Sequence, residues 1–135
     1  MRTLAPPYPF RSVPWAHIDE SFAEFAADHP EFSHMSAIVQ SVRSVGAEND
    51  LAAHTSMHDL IVLAQPIPDP PYDVVAVRAP SSLVRPSDGC VVIEHLSATG
   101  GNDRIERPVG EAVPLFWRFM IEKFGGDPAS YSRSH

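Results

Sequence analysis

The chain has 135 residues, of which 44% are hydrophobic and 20% charged, a composition typical of globular rather than disordered proteins. It carries 10 basic and 17 acidic residues, so its formal net charge is -7. Nucleic acids and anionic membrane surfaces are bound through an excess of Lys and Arg, and we therefore expect neither as a partner. A protein partner, a basic one in particular, or a second copy of the chain fits this charge better.

Cysteine content and apolar stretches suggest the compartment. The single cysteine, Cys90, cannot form a disulfide within the chain. The first residues lack the apolar core of a secretory signal, and no apolar stretch reaches the roughly 20 residues that span a bilayer. We therefore expect a cytoplasmic location. No cofactor is expected, because no cofactor-binding motif is present.

The N-terminal part of the chain predicts an extended arm and two helices. Residues 1–11 are rich in proline, which fixes φ and removes backbone donors, so they favour an extended arm. Apolar residues at helical spacing then predict a helix capped by Ser12 and ended by Pro30. A second helix, capped by Asp28 and stopped by Gly46, follows directly. Together they predict a helical hairpin.

Strands follow in the middle of the chain. Residues 47–57 are ambiguous, but short runs rich in Val and Ile predict strands at 60–64, 73–78 and 90–96. The turn signal at 100–103 invites a hairpin that returns residues 104–107 beside the third strand.

A C-terminal helix from Val113 to Phe124 completes the predicted fold. A parallel sheet would need helical crossovers between the strands, and none is present. The sequence therefore predicts one α+β domain over residues 1–135. We expect an antiparallel sheet of three to four strands on which the N-terminal helical hairpin and the C-terminal helix pack. Residues 127–135 are predicted to form a frayed tail.

His54 and His58, followed by Asp59, are the most suggestive local pattern. Two histidines at i and i+4 on a helix point the same way and can share a metal ion. On a strand they would stand about 13 Å apart, too far for one ion. The pattern lacks the glutamate of HExxH, so polar residues leading into a strand are the favoured interpretation.

His95 and Glu94 lie at the end of a predicted strand, where one of them occupies a mostly apolar face. His95 could serve as a general base or lie hydrogen-bonded at the rim of the sheet, and the rim is favoured. If His58 and His95 met, Asp59 or Glu94 would complete an acid–base site. Cys90, before an apolar run, is predicted to be a small core residue.

The C-terminal helix has an unusually wide apolar arc, interrupted only by Lys123 and bordered by Arg118 and Glu122. A helix resting on one sheet does not need so wide an arc, so it must touch something else as well. The N-terminal hairpin and the arm are favoured, and another chain is the functional alternative. In that case Leu115, Phe119, Trp117 and Arg118 would form the binding surface.

Three functions compete on this basis. The first is a non-catalytic protein-interaction or binding protein that neutralises a basic partner or associates with itself. The second is a small enzyme or metal-binding domain that uses His54, His58 and His95. The third is a small-molecule pocket between helices and sheet, lined by Trp15, Trp117 and Phe119. Whether the chain is an enzyme is left open by the sequence.

Overall fold

The structure is a computed structural model, and it describes residues 10–125. Most of the predicted arm at 1–11 and all of the predicted tail at 127–135 lie outside these residues. In chain order the elements are α1 (Trp15–Asp28), α2 (Ser33–Ser44), β1 (Leu51–Ser56), β2 (Asp59–Ala64), β3 (Val74–Arg78), β4 (Cys90–Leu96), β5 (Asp103–Pro108) and α3 (Ala112–Phe124).

The five strands form one antiparallel sheet in the order β1-β2-β3-β4-β5. The predicted α+β class is confirmed, but the prediction of three to four strands was wrong. The strand whose pattern was not recognised is β1, which lies within the ambiguous stretch at 47–57. Its first half is buried and its second half is polar and increasingly exposed, so no alternation marks it as a strand.

The helix boundaries follow from proline and glycine. Pro14 precedes α1, and no side chain caps the first turn of this helix, so the predicted cap by Ser12 is wrong. A single turn of 3-10 helix at Pro30–Phe32 separates α1 from α2, and α2 therefore begins at Ser33 instead of continuing from a cap at Asp28. Gly46 and Gly125 adopt φ of +74° and +73° after α2 and α3, a left-handed conformation that favours glycine.

All three helices pack on one face of the sheet, which we call the inner face. Its buried side chains come from alternate positions of β1 to β4, such as Leu60, Val62 and Ile93. The helices contribute side chains such as Ile18 and Met35 to the same core. None of the described helices is long and apolar enough to cross a membrane.

The opposite, outer face carries a second apolar cluster. Phe10 and Tyr72 pack there in an edge-to-face arrangement, with ring centroids 5.9 Å apart. Strand residues of this face, including Ile61 and Leu63, are buried beside them. The outer face is therefore a packed surface over part of its area. A group of charged side chains occupies the neighbouring part.

Candidate ligand-binding site

The histidines singled out from the sequence do not converge. His54 lies on β1 and contacts Phe10 on the outer face, with ring centroids 4.8 Å apart. His58 lies in the turn between β1 and β2 and stacks on Phe25 of α1, with centroids 4.4 Å apart. The imidazole of His54 therefore lies on the outer face of the sheet, whereas that of His58 packs against the helical layer. They cannot share a metal ion, although they are four residues apart in the sequence.

His95 is also remote from His58. The sheet register pairs His95 with Val75, and Val75 with Val62 on β2, four residues along the chain from His58. Strand spacing and rise then separate the two histidine backbones by roughly 16 Å. His95 is buried, its Nε2 lies 3.3 Å from a carboxylate oxygen of Asp73, and its Nδ1 has no partner among the described residues. An acid–base site that combines His58 and His95 does not form.

Asp59 and Glu94, by contrast, are brought together by an arginine that the sequence analysis did not single out. The guanidinium of Arg78 donates to Asp59 Oδ2 at 3.0 Å and to Glu94 Oε2 at 2.6 Å. All three side chains are buried on the outer face. The carboxylates therefore hold an arginine and are not arranged as an acid–base pair. Carboxylates that neutralise a buried guanidinium have a structural role, because they compensate its charge in the interior.

The wide apolar arc of α3 is filled within the chain. Leu115 is 6% exposed and Phe119 is 2% exposed, and both belong to the inner core. Trp117 is also buried, and its indole Nε1 donates to Ser41 of α2 at 3.0 Å. Arg118 is exposed and pairs with Glu122 one turn later. These burials remove the apolar face on which the expected interaction surface of α3 depended.

A cavity of about 690 Å³ opens elsewhere, between the start of α2 and the loop that joins β3 to β4. Its volume is within the range of pockets that hold small organic molecules. Apolar walls come from Phe32, three prolines and Val109, and polar groups lie between them. The polar lining consists of Glu31, Ser33, His34, Ser81, Arg85, Ser87, Asp88 and Cys90. Trp15, Trp117 and Phe119, which were expected to line such a pocket, are not among its walls.

The β3–β4 loop is fastened to the sheet at two points. Near its start, Ser82 Oγ donates to Asp59 Oδ2 at 2.8 Å, and the backbone amide of Ala79 donates to Asp59 Oδ1. Near its end, the backbone amide of Ser87 donates to Glu106 Oε1 at 2.8 Å. These bonds hold both ends of the loop, which forms one wall of the cavity, against the sheet. The buried arginine network thus also positions the cavity wall, because Asp59 belongs to both.

His34, in the first turn of α2, supplies the chemically distinctive group. The residue is only 8% exposed, and its Nε2 is buried with no hydrogen-bond partner among the described residues. Burial lowers the pKa of His34, and a hydrogen bond with the backbone of Glu31 partly opposes this effect. A neutral imidazole is therefore the favoured form at pH 7.

The tautomer that we expect for His34 rests on two observations. A hydrogen bond with the backbone of Glu31 raises the pKa of His34, which is the direction expected when a ring N–H donates to a carbonyl. Because Nε2 has no partner among the described residues, we expect the ring proton on Nδ1. Nε2 then carries a lone pair and can accept a hydrogen bond. An unpaired buried acceptor is costly, so a partner that supplies a donor to this atom would be stabilising.

Cys90 lies in the same cavity and is half-buried. The sequence predicted a small core residue, but the first position of β4 leaves part of its side chain open to the cavity. It is the only cysteine in the sequence, so thiol reagents report on this place alone. No three side chains of His, Cys, Asp or Glu within residues 10–125 are arranged to hold a metal ion.

Comparison with protein-family models, with curated proteins and with solved structures gives no match for this chain.

His34 could have been singled out from its spacing. It precedes Ile38 and Val42 by four and eight residues, so it shares the buried face of α2 with them. A histidine on an apolar helical face is a recognisable signal. The cavity itself could not have been predicted, because the β3–β4 loop that forms its other wall has no periodic pattern.

Proposed function

We infer that this chain is a non-catalytic binding protein that takes a small polar molecule into the cavity between α2 and the β3–β4 loop. The observation that supports this function is the buried, unpartnered Nε2 of His34, a residue that lines a cavity of ligand size. Such an atom gains a hydrogen bond only from a molecule that enters. The ligand must therefore present an O–H or N–H group.

Charge restricts the ligand further. Glu31 and Asp88 contribute two negative charges to the lining, and Arg85 contributes one positive charge. With His34 neutral, the lining carries a net negative charge. Carboxylates and the lone pair of His34 are all acceptors, so a donor-rich molecule fits and an anion is disfavoured. Neutral polyols and amines have this chemistry.

Binding is favoured over catalysis by the surroundings of His34. A side-chain nucleophile activated by His34 would lie within hydrogen-bond reach of Nε2, and residues 10–125 place none there. The apolar walls and the anchored loop instead suit a preformed site that needs little rearrangement.

The reactivity of Cys90 tests this function. Alkylation of the full chain with iodoacetamide would be followed by mass spectrometry in the presence of glucose, myo-inositol or putrescine at millimolar concentration. A bound molecule covers the half-buried thiol, so at least one of these probes should slow its alkylation. Sodium acetate, an anion without donors, should not.

Two variants show whether protection depends on His34. His34→Phe keeps a buried aromatic ring but cannot accept a hydrogen bond, so the protecting probe should bind about tenfold more weakly, or about 1.4 kcal/mol. His17→Phe changes an exposed histidine of α1 outside the cavity and should leave protection unchanged. The proposed function fails if none of the three donor-rich probes protects Cys90. It also fails if protection is the same in His34→Phe.

A further inference from the structure

The two edges of the sheet differ in how they are covered. At β1, Val13 donates its backbone amide to the carbonyl of Ala53 at 2.7 Å. The indole of Trp15 donates to the carbonyl of Leu51, in the same strand, at 2.8 Å. These contacts occupy acceptors along β1. At the other edge of the sheet, β5 is exposed at every position except the half-buried Ile105.

The charges of β5 alternate in sign about Ile105. The strand reads Asp103, Arg104, Ile105, Glu106, Arg107, so its signs are negative, positive, neutral, negative, positive. Reversing the strand about Ile105 exchanges Arg104 with Glu106 and Asp103 with Arg107. Every charge then faces its opposite. This sequence is complementary to itself in the antiparallel direction.

We propose that β5 is a dimerisation edge that pairs antiparallel with β5 of a second copy about a two-fold axis at Ile105. The pairing places Arg104 opposite Glu106 and Asp103 opposite Arg107, each pair twice. Directly opposed residues have Cβ atoms about 5 Å apart, within reach of ion pairing. The two sheets become one continuous sheet of ten strands. Each copy contributes the same surface to this two-fold contact.

Charge also fixes the register of this pairing. The two sheets keep the same faces together only if the strands slip by an even number of residues. The smallest allowed slip therefore replaces the residue opposite a given position by the residue two places along. A slip in one direction places Arg104 opposite Arg104, and a slip in the other places Glu106 opposite Glu106. Like charges directly opposed are destabilising, so pairing centred on Ile105 is the favoured register. Charged edge strands usually discourage association, but these charges discourage only the wrong registers.

Within one copy the two arginines of β5 are available. Neither Arg104 nor Arg107 forms an ion pair with the described residues, whereas Arg43, Arg78 and Arg118 all do. The acids are partly engaged, because Asp103 pairs with Lys123 and Glu106 accepts hydrogen bonds from Ser87. A carboxylate has about four acceptor positions, so it can take an arginine as well. Arg107 donates to the carbonyl of Glu106 in the monomer and must turn outward on pairing.

Substitutions that reverse charges on β5 test the proposal. The oligomeric state of the full chain would be measured by analytical ultracentrifugation over a range of concentrations. The unmodified chain should show a monomer–dimer equilibrium that weakens as salt is added. Arg104→Glu creates two like-charge contacts per dimer and should raise the dissociation constant at least tenfold, or about 1.4 kcal/mol. The double variant R104E/E106R restores opposite charges at both positions and should recover dimerisation. Arg118→Glu, on the exposed side of α3, should change little.

A geometric measurement guards against effects of the substitutions on folding. In a mixture of isotope-labelled and unlabelled protein, nuclear Overhauser contacts between residues 103–107 of different copies should appear. A chain that remains monomeric at millimolar concentration overturns the proposal. So does a dimer that R104E leaves unchanged and that gives no such contacts. Either result leaves the ligand cavity untouched, because its test is the protection of Cys90.

Discussion

The carboxylate of Asp59 accepts a hydrogen bond at 2.8 Å from the hydroxyl of Ser82, which lies 23 residues later in the chain. The same oxygen also accepts from the guanidinium of Arg78 at 3.0 Å. One buried carboxylate thus connects the ionic network of the outer face to the loop that walls the cavity. Fold stability and the shape of the site therefore depend on the same residue.

Removing the side chain of Asp59 should destabilise the protein strongly. In Asp59→Ala, the guanidinium of Arg78 loses one of its two carboxylate partners and Ser82 loses its acceptor. Breaking a buried pair from one side costs about 3–5 kcal/mol, and we expect about 3 because Glu94 remains. Chemical denaturation monitored by tryptophan fluorescence measures this loss. The control Asp69→Ala removes an exposed carboxylate and should cost under about 0.5 kcal/mol. Similar losses in both variants would show that the network does not stabilise the fold.

The free energy of unfolding should depend on pH through His34. Burial lowers the pKa of His34 in the folded chain below its unfolded value of about 6.5. As pH falls below that value, the unfolded chain takes up a proton at His34 while the folded chain does not. Unfolding is then favoured, and stability is lost until pH reaches the lower folded pKa.

His34→Phe should remove this part of the pH dependence. Denaturation curves collected from pH 7 downward should show a steeper loss of stability in the unmodified chain than in the variant. His17→Phe, which changes an exposed histidine, should follow the unmodified chain. Parallel curves for the unmodified chain and His34→Phe would mean that His34 is not held neutral by burial.

The buried side of α3 should be far more sensitive to side-chain truncation than its exposed side. Leu115 is 6% exposed and Ile121 is 45% exposed, so the two positions compare burial at similar side-chain volume. Leu115→Ala should lower the free energy of unfolding by about 2–5 kcal/mol. Ile121→Ala should lower it by under about 1 kcal/mol. Equal effects in thermal denaturation would contradict the burial of Leu115 within the monomer.

The turn between β1 and β2 should be stabilised by glycine. Met57 and His58 have φ of +51° and +73°, a left-handed conformation that side chains with a Cβ disfavour. Met57 is 67% exposed, so little packing is lost when it is replaced. Met57→Gly should therefore be more stable than Met57→Ala by about 1 kcal/mol. A more stable Met57→Ala would exclude strain at this position.

The elements that the sequence predicted well carry strong periodic signals. The strand at 90–96 and the helix that ends at Phe124 were found because apolar spacing and a following glycine define them. β1 was missed because only its first half is buried. The wide apolar arc of α3 predicted a second contact besides the sheet, with the N-terminal hairpin or the arm favoured over another chain, and α2 of that hairpin packs against α3. Apolar spacing in the sequence indicates how much of a helix is buried, whereas the tertiary structure shows which elements bury it.

The candidate site was less predictable than the fold, for a physical reason. His54, His58 and His95 attracted attention through local spacing, yet strand register and turn geometry separate them. His34 and Cys90 are 56 positions apart in the chain, and nothing in the sequence indicates that they line the same cavity. Their meeting depends on how the β3–β4 loop is anchored by Asp59 and Glu106, and such long-range hydrogen bonds leave no periodic trace in the sequence.

The most direct measurement is a proton–nitrogen correlation spectrum of the imidazole rings, collected with and without the probe that protects Cys90. We expect free His34 to be neutral at pH 7, with its proton on Nδ1 and an unprotonated Nε2. Adding the probe should shift the Nε2 resonance as it accepts a hydrogen bond, while Nδ1 stays nearly unchanged. A proton on Nε2 in the free protein, or an Nε2 resonance that the probe does not move, would contradict the proposed binding site.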